Sequence, residues 1–485
     1  MLSLRKKMGL QFLVSNAETV VNFALSIILA RMLTPTDIGI FSMSAILISF
    51  AHVFRDFGVF SFLIKEKEVT EQTIRSAFGV LLVSSWSVAA VLYVSASLWS
   101  GFFRVPEVED VVRVLALGFV FIPFGSIPYA LLTRNLEVQR TSKVKLISMV
   151  TYASTTIALA YTGHGHMTMA WANLVSILVS GVAYHWYSTT RIPWIPSLAG
   201  WRRITHFGAG TMVTSTVSAL DTALPDVMLG RMSTPASVGF FNKAASAVAL
   251  PYTVLQSTIN YFALPYLSRI HHANNDMADA IHRASAHLCV IIIPIMAWTT
   301  VMGREVILFL FGNQWVPSIA VIPWLCIAGA VAVMFQMVSP ALTSIGKPYV
   351  PALPLLMILS AKVTIGILIF DRTLVSFGMA LAAGQLVGIP VYLLLLKHYF
   401  RISIRRWLFE MGRILLIAAI AGGSCYLLKA SMPADFPIIL DLMVNGTAFV
   451  VIWLSCVWLL KPPIAEELRR IIGPVARQLG IKSTP

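Results

Sequence analysis

Residues 28–41 read ILARMLTPTDIGIF, and residues 228–241 read MLGRMSTPASVGFF. The two stretches align without a gap at an offset of 200 residues, and seven of their fourteen positions are identical. Each stretch predicts the end of one apolar helix, a short turn, and a Thr-Pro pair that begins the next helix. A hairpin motif used twice would also give this pattern, but the gapless offset favours an internal duplication.

The chain around these stretches is too apolar for a water-soluble protein. Hydrophobic residues make up 57% of the 485 residues and charged residues 12%, whereas soluble domains carry roughly 25% charged residues. The mean hydropathy is +0.80. The composition therefore predicts an all-α integral membrane protein with short loops and no soluble domain.

A helix that spans a bilayer needs about 20 mostly apolar residues. Fourteen segments approach this requirement: roughly 10–31, 38–62, 76–100, 111–133, 146–162, 167–189, 206–230, 236–266, 284–302, 317–345, 350–370, 374–396, 411–429 and 439–460. The two copies of the repeat lie six segments apart, so both halves are expected to have the same orientation. Repeats of this kind are related by a pseudo-twofold axis along the membrane normal.

The lysines and arginines orient the chain. With a cytoplasmic N-terminus, 26 of the 36 basic residues fall on the inner side and seven on the outer side, as the positive-inside rule requires. Both termini are then cytoplasmic. This distribution accounts for the net charge of +15 and argues against a nucleic-acid partner, because the basic residues do not gather on one folded domain.

The repeat and three further motifs resemble one family of transporters. RDFG at 55–58 leads to LIK at 63–65, LLTRNLE occupies 131–137, and FGNQWVP occupies 311–317. Over about residues 10–400 these stretches resemble the Wzx-type polysaccharide flippases, in the polysaccharide transporter branch of the multidrug/oligosaccharidyl-lipid/polysaccharide superfamily.

The resemblance implies an N-terminal six-helix bundle over residues 1–200 and a second over 201–400, around a cavity that opens alternately to the two sides. Residues 401–485 would add two transmembrane helices and a cytoplasmic tail. The implied activity moves an undecaprenyl-pyrophosphate-linked oligosaccharide to the periplasmic leaflet of the bacterial inner membrane. Besides this substrate and membrane lipid, the expected partners are a polysaccharide polymerase and export machinery.

Ionisable side chains within spans are costly, about 2.5–3.5 kcal/mol each on insertion scales, so each is a candidate for function. The candidates for a substrate or ion pathway are Glu18, Asp221, Asp226, Lys243 and Lys362, and those for a gate are Arg55 and Asp56. The acids could couple transport to a gradient of H⁺ or Na⁺, and the lysines could attract phosphate. Polar contacts between helices are the alternative role for all of them.

No metal or cofactor motif is visible, and no Gly-rich phosphate loop suggests an ATP-driven mechanism. Two other members of the superfamily remain as alternatives: a peptidoglycan-precursor flippase and a drug/cation antiporter. A more distant alternative is an enzyme, either a polysaccharide polymerase or a ligase. The longest predicted outer loop, at residues 101–110, is too short for the catalytic loop such an enzyme needs, so we expect no enzymatic activity.

Overall fold

The computed structural model describes residues 4–56, 58–66, 68–188, 192–199, 201–273, 276–347, 349–433 and 436–460. Within these ranges the backbone is helical with connecting turns and contains no strand. The predicted all-α fold is confirmed.

The chain forms two compact units, Met1–Asn242 and Lys243–Pro485. The helices that begin in the first unit are α1 (Leu4–Met32), α2 (Pro35–Asp56), α3 (Val59–Lys65), α4 (Glu71–Phe103), α5 (Glu107–Arg134), α6 (Val138–Tyr161), α7 (Thr168–Tyr187), α8 (Trp201–Met232) and α9 (Pro235–His272). Those of the second unit are α10 (Met277–Leu310), α11 (Ile322–Met334), α12 (Val338–Ser344), α13 (Ala352–Ile369), α14 (Leu374–Phe400), α15 (Ile404–Ala430) and α16 (Ile438–Leu460).

The helices are long and apolar enough for a multi-pass membrane protein. Within the described residues, 11 helical segments satisfy both the length and the hydropathy of a membrane span. Helices α1, α8 and α9 also have the length to cross a bilayer, with 29, 32 and 38 residues.

The predicted span 38–62 is wrong as a single helix, because the structure divides it into α2 and α3. Gly58 separates the two with a left-handed backbone, at φ 73°. A residue with a side chain rarely adopts this conformation, and no helix continues through it. The RDFG motif is therefore a helix break that starts a short second helix.

The predicted span 317–345 is also interrupted. It begins as a 3₁₀ segment, Asn313–Val321, continues as α11 and resumes after a break as α12. Pro340 lies in the first turn of α12 and has no N–H to donate to the carbonyl of Gln336, so a continuous helix would lose a hydrogen bond there. The break before α12 is therefore the expected effect of Pro340.

The two copies of the repeat pack against each other within the first unit. A Cβ atom added to Gly39 would lie 1.8 Å from the carbonyl oxygen of Pro235, and one added to Gly239 would lie 2.1 Å from that of Pro35. The first turns of α2 and α9 therefore touch backbone to backbone, and the contact is reciprocal. Glycine permits this close approach, as small residues do between membrane helices.

Helices α15 and α16, which lie beyond the repeat, pack on α10 in the second unit. Lys429 Nζ lies 2.6 Å from a carboxylate oxygen of Glu305, and the Trp453 Nε1–H donates to the carbonyl of Val290 at 2.9 Å. Between them, Cys425 and Phe449 belong to a buried apolar cluster. Both ends of the contact are thus fixed by polar bonds and its middle by apolar packing.

Candidate functional site

Glu18 lies in α1 and faces α6. A carboxylate oxygen of Glu18 is 3.9 Å from Nζ of Lys145, and 45% of the Glu18 side chain is exposed. An ion pair this long and this exposed contributes little to stability, typically up to about 1 kcal/mol. Both groups therefore remain available to exchange partners with a polar ligand.

An aromatic row lies near this ion pair, formed by Phe60, Tyr129 and Tyr184. The Phe60 and Tyr129 rings are stacked with centroids 5.3 Å apart, and the Tyr129 and Tyr184 centroids are 5.2 Å apart. Glu18 lies close enough to Tyr184 for its carboxylate to interact electrostatically with the Tyr184 hydroxyl. Phe60 lies at the start of α3, and Tyr129 and Tyr184 lie near the C-terminal ends of α5 and α7. The row is therefore at the end of the unit that the basic residues predict to be cytoplasmic.

Arg55 occupies the last turn of α2, and its backbone carbonyl accepts a hydrogen bond from the Ser84 hydroxyl at 2.7 Å. Its side chain is half-buried. The side chain of Asp56, its partner in the predicted gate, lies outside the described residues. The role of this pair as a gate therefore stays a prediction.

The two aspartates predicted as ion-pathway residues lie on α8, on either side of Pro225. The Asn242 amide donates to a carboxylate oxygen of Asp226 at 3.0 Å and so joins α8 to α9. Pro225 has no N–H for the carbonyl of Asp221, four residues earlier, which loosens the helix at this point. Asp221 is half-buried. Coupling of either carboxylate to an ion gradient stays a prediction.

Lys243 is buried in the second unit, with 6% of its surface exposed. Its Nζ lies 5.3 Å from the ring centroid of Phe311 and 5.7 Å from that of Trp315. A desolvated cation over an aromatic face is stabilised by about 2 kcal/mol. The FGNQWVP motif thus supplies two rings to a buried lysine.

Lys362 is half-buried where α13 packs on α14. A Cβ atom at Gly384 would lie 2.5 Å from Cγ of Lys362, so the glycine leaves the space for its stem. The candidate site residues are therefore divided. Glu18, Arg55 and the two aspartates belong to the first unit, and the two lysines belong to the second.

Lys145, Tyr129 and Tyr184 are not among the functional residues that the sequence predicts. The predicted span begins at residue 146, whereas α6 begins at Val138, so hydropathy places Lys145 in a loop. Tyrosine is common within apolar spans, so Tyr129 and Tyr184 can be recognised as site residues only when their neighbours in the fold are known. The sequence signal for Lys145 was the run of mixed basic and apolar residues before position 146.

A sequence profile of one family, described as "Polysaccharide biosynthesis protein", matches residues 28–320. The chain belongs to this family. It is 22% identical to the teichuronic acid biosynthesis protein TuaB of Bacillus subtilis, over 65% of each chain. It is also 22% identical to the lipopolysaccharide biosynthesis protein WzxC of Escherichia coli, over 62% of each chain. These matches span just under two thirds of the relatives' lengths, and they confirm the resemblance to the polysaccharide branch of the superfamily.

Solved structures share the fold. The lipid II flippase MurJ, in an inward closed conformation, matches with a TM-score of 0.76 and 13% identity, over 91% of this chain and 97% of MurJ. A multidrug resistance MATE family transporter, in an inward-facing conformation, matches with a TM-score of 0.59 and 15% identity, over 82% and 95% of the two chains. At these identities the likeness shows the fold alone.

Proposed function

We propose that this protein moves a lipid-linked oligosaccharide across the membrane, from the cytoplasmic to the periplasmic leaflet. The observation that carries the proposal is the surface formed by the aromatic row and the Glu18–Lys145 pair within the helices of the first unit. Aromatic rings pack against the apolar C–H faces of sugar rings, and charged groups bond to their hydroxyls. A surface of this kind gives a glycan partners that hydrocarbon cannot provide.

The family supports the substrate class. Relatives named for teichuronic acid, lipopolysaccharide and succinoglycan biosynthesis share polymeric sugar as the product. The precursor we propose is an undecaprenyl-pyrophosphate-linked repeat unit. Its lipid tail would stay in the bilayer while the glycan crosses, and no covalent bond would change, so the protein would not act as an enzyme.

Alternating access is the proposed mechanism. The reciprocal contact between Pro35, Gly39, Pro235 and Gly239 lies at the end of α2 opposite the aromatic row. In the proposed cycle this contact would close the path on that side and would separate for release of the glycan. A gradient of H⁺ or Na⁺ would drive the cycle through carboxylates such as Glu18. The protein would lie in the bacterial inner membrane with both termini cytoplasmic, and would pass its product to a polymerase and the export machinery.

The test is the leaflet in which the lipid-linked glycan is found in cells with and without the protein. An impermeant glycan-modifying reagent applied to spheroplasts should label the intermediate only when the protein is present. Tyr129→Ala should reduce labelling because the middle ring of the row is lost. Trp186→Ala is the matched control, because Trp186 is 84% exposed on α7. Equal labelling with and without the protein would contradict the proposal and favour drug efflux.

A further inference from the structure

The turn between α14 and α15 carries a group of exposed cations. Lys397, Arg401 and Arg405 lie within one stretch of the chain, residues 397–405, and all three are exposed. Lys347, in the turn after α12, joins them because its Nζ lies 4.6 Å from the centroid of the Tyr399 ring. These four residues form the basic cluster of the second unit. The positive-inside rule predicts that the cluster lies on the cytoplasmic side.

The backbone that carries the cluster is fixed by its apolar and capping residues. Phe400 and Ile402 are buried, with 7% and 5% of their surfaces exposed, whereas Arg401 between them is exposed. The Ser403 hydroxyl accepts a hydrogen bond from the Arg406 N–H and so caps the start of α15. The turn therefore holds its cations in defined positions instead of on a loose loop.

No carboxylate compensates the basic cluster within the described part of the chain. None of its four side chains forms an ion pair with a described residue, whereas Arg406, the next residue after the cluster, has Nη2 3.3 Å from a carboxylate oxygen of Asp279. Like charges that are grouped in this way repel one another. An anion from outside the chain would therefore stabilise the turn.

Helix stability and membrane topology do not explain the cluster. Lys397 lies in the last turn of α14, where a cation stabilises a helix. Arg405 lies in the first turn of α15, where a cation is unfavourable, and Arg401 lies outside both helices. The positive-inside rule requires basic residues on this side of the membrane but does not require them to gather on one turn.

One face of α15 continues from Arg405 as an exposed apolar stripe. Its side chains recur at helical spacing and therefore share a face: Leu408, Phe409, Leu415, Leu416, Ile420 and Leu427. From the first to the last of them the helix rises by about 28 Å at 1.5 Å per residue, close to the roughly 30 Å of a hydrocarbon core. Arg405 lies just before the stripe, at the level expected for lipid headgroups.

An anionic phospholipid matches both parts of this surface. A guanidinium binds phosphate oxygens through paired hydrogen bonds, and acyl chains pack against an exposed apolar helix face. The cytoplasmic leaflet carries a negative surface potential that attracts basic segments beside a membrane helix. A zwitterionic lipid would bring a positive charge of its own to the cluster, and soluble phosphate would leave the stripe without a partner.

We propose that the basic cluster and the apolar stripe of α15 form a binding site for an anionic phospholipid of the cytoplasmic leaflet. Arg401 and Arg405 bind the headgroup phosphate, and the stripe receives the acyl chains. The site belongs to the second unit, whereas the aromatic row belongs to the first, and it does not depend on which molecule the protein transports. It gives a role to α15, which lies beyond the repeat.

Native mass spectrometry of the full chain in detergent measures binding of phosphatidylglycerol, with phosphatidylcholine as the zwitterionic comparison. Wild-type protein should bind phosphatidylglycerol at least tenfold more tightly. Arg401→Gln/Arg405→Gln should weaken this binding roughly twentyfold, because each cation at an anionic lipid surface contributes about a factor of five. Arg401→Lys/Arg405→Lys should keep most of the affinity, because the charges remain.

The matched control is Arg113→Gln/Arg304→Gln. It lowers the net charge by the same amount at the end of the helices predicted to be outside, and it should bind phosphatidylglycerol as wild type does. Leu408→Ser/Phe409→Ser keeps the cations but removes the start of the stripe, and should also weaken binding. Glycerol 3-phosphate, which has the phosphate without acyl chains, should not displace the lipid.

Undecaprenyl diphosphate tests the other lipid source of phosphate and should not displace phosphatidylglycerol at equal concentration. Displacement that Arg401→Gln/Arg405→Gln abolishes would assign the turn to the transported lipid and overturn the inference. Equal affinity for the two phospholipids, or a folded Arg401→Gln/Arg405→Gln variant that binds as wild type does, would overturn it as well. Labelling of the lipid-linked glycan in spheroplasts is a separate measurement, so either proposal can fail without the other.

Discussion

The sequence position of Lys243 suggests a role in substrate binding, whereas its burial in the structure suggests a structural role. From the sequence, a lysine about seven residues into a span is a candidate to attract phosphate. In the structure its ammonium group lies over the rings of Phe311 and Trp315 and is 6% exposed. Two rings beside a buried cation stabilise its charge and also restrict its access to a ligand. We therefore expect Lys243 to hold α9 to the segment that follows α10.

Lys243→Met should lower stability by about 1–2 kcal/mol, because the cation–π contacts are lost while the apolar stem is kept. The measurement is the thermal unfolding midpoint in detergent, together with glycan translocation, which should stay near wild type. Lys347→Met is the control, since Lys347 lies 4.6 Å from the Tyr399 ring but is exposed. Loss of translocation at unchanged stability would instead make Lys243 part of the pathway.

At the scale of elements, the first turns of α2 and α9 show why the repeat contains an identical glycine. Gly39 and Gly239 each face a carbonyl of the other copy, at distances that leave no room for a Cβ atom. Each of the two turns is also closed by its own side chains. The Thr34 hydroxyl accepts from the Asp37 N–H, and the Thr234 hydroxyl accepts from the Ser237 N–H, both at 3.2 Å. The caps fix the two turns, and the glycines let them meet.

Gly39→Ala should destabilise the protein by roughly 1–3 kcal/mol, because the added methyl group forces two backbones apart. Gly101→Ala should have the opposite sign. Gly101 lies within α4 with nothing near its Cβ position, and alanine there favours the helix by about 1 kcal/mol. Thermal unfolding midpoints of the two variants test the pair. An unfolding midpoint for Gly39→Ala at or above that for Gly101→Ala would contradict the close contact.

At the scale of the whole molecule, the proposed cycle requires the contact between the two repeat copies to open. A cross-link across it would prevent release of the glycan even though every side chain of the aromatic row stays in place. Thr36 and Ala236 follow the two contacting prolines and are exposed and half-exposed, respectively. The four native cysteines are all buried, so cysteines introduced at these positions can be modified selectively.

Thr36→Cys/Ala236→Cys joined by a short reducible thiol cross-linker should stop translocation, and reduction of the linker should restore it. Labelling of spheroplasts by the impermeant glycan reagent measures both steps. Each single-cysteine variant treated in the same way is the control and should remain active. Translocation at the wild-type rate in fully cross-linked protein would rule out opening at this contact.

The sequence by itself determined the helical membrane fold, the duplication and the family. A membrane span is recognised from the summed hydropathy of about 20 residues, and this sum does not depend on the direction in which any one side chain points. The glycine is identical in the two copies of the repeat because the reciprocal backbone contact leaves no room for a side chain at Gly39 or Gly239. Breaks such as the one at Gly58 were not predicted, because an apolar run on both sides of a glycine has the composition of a continuous span.

Only the tertiary structure decided the partners of the charged residues. Lys145 meets Glu18, Asn242 meets Asp226, and the rings of Phe311 and Trp315 cover Lys243. Each of these pairs joins different helices, and in spans that are apolar nearly all round the sequence period does not show which face turns toward a neighbour. The cost of placing a charge in a membrane marks it as important, whereas its role depends on the group that packing brings beside it.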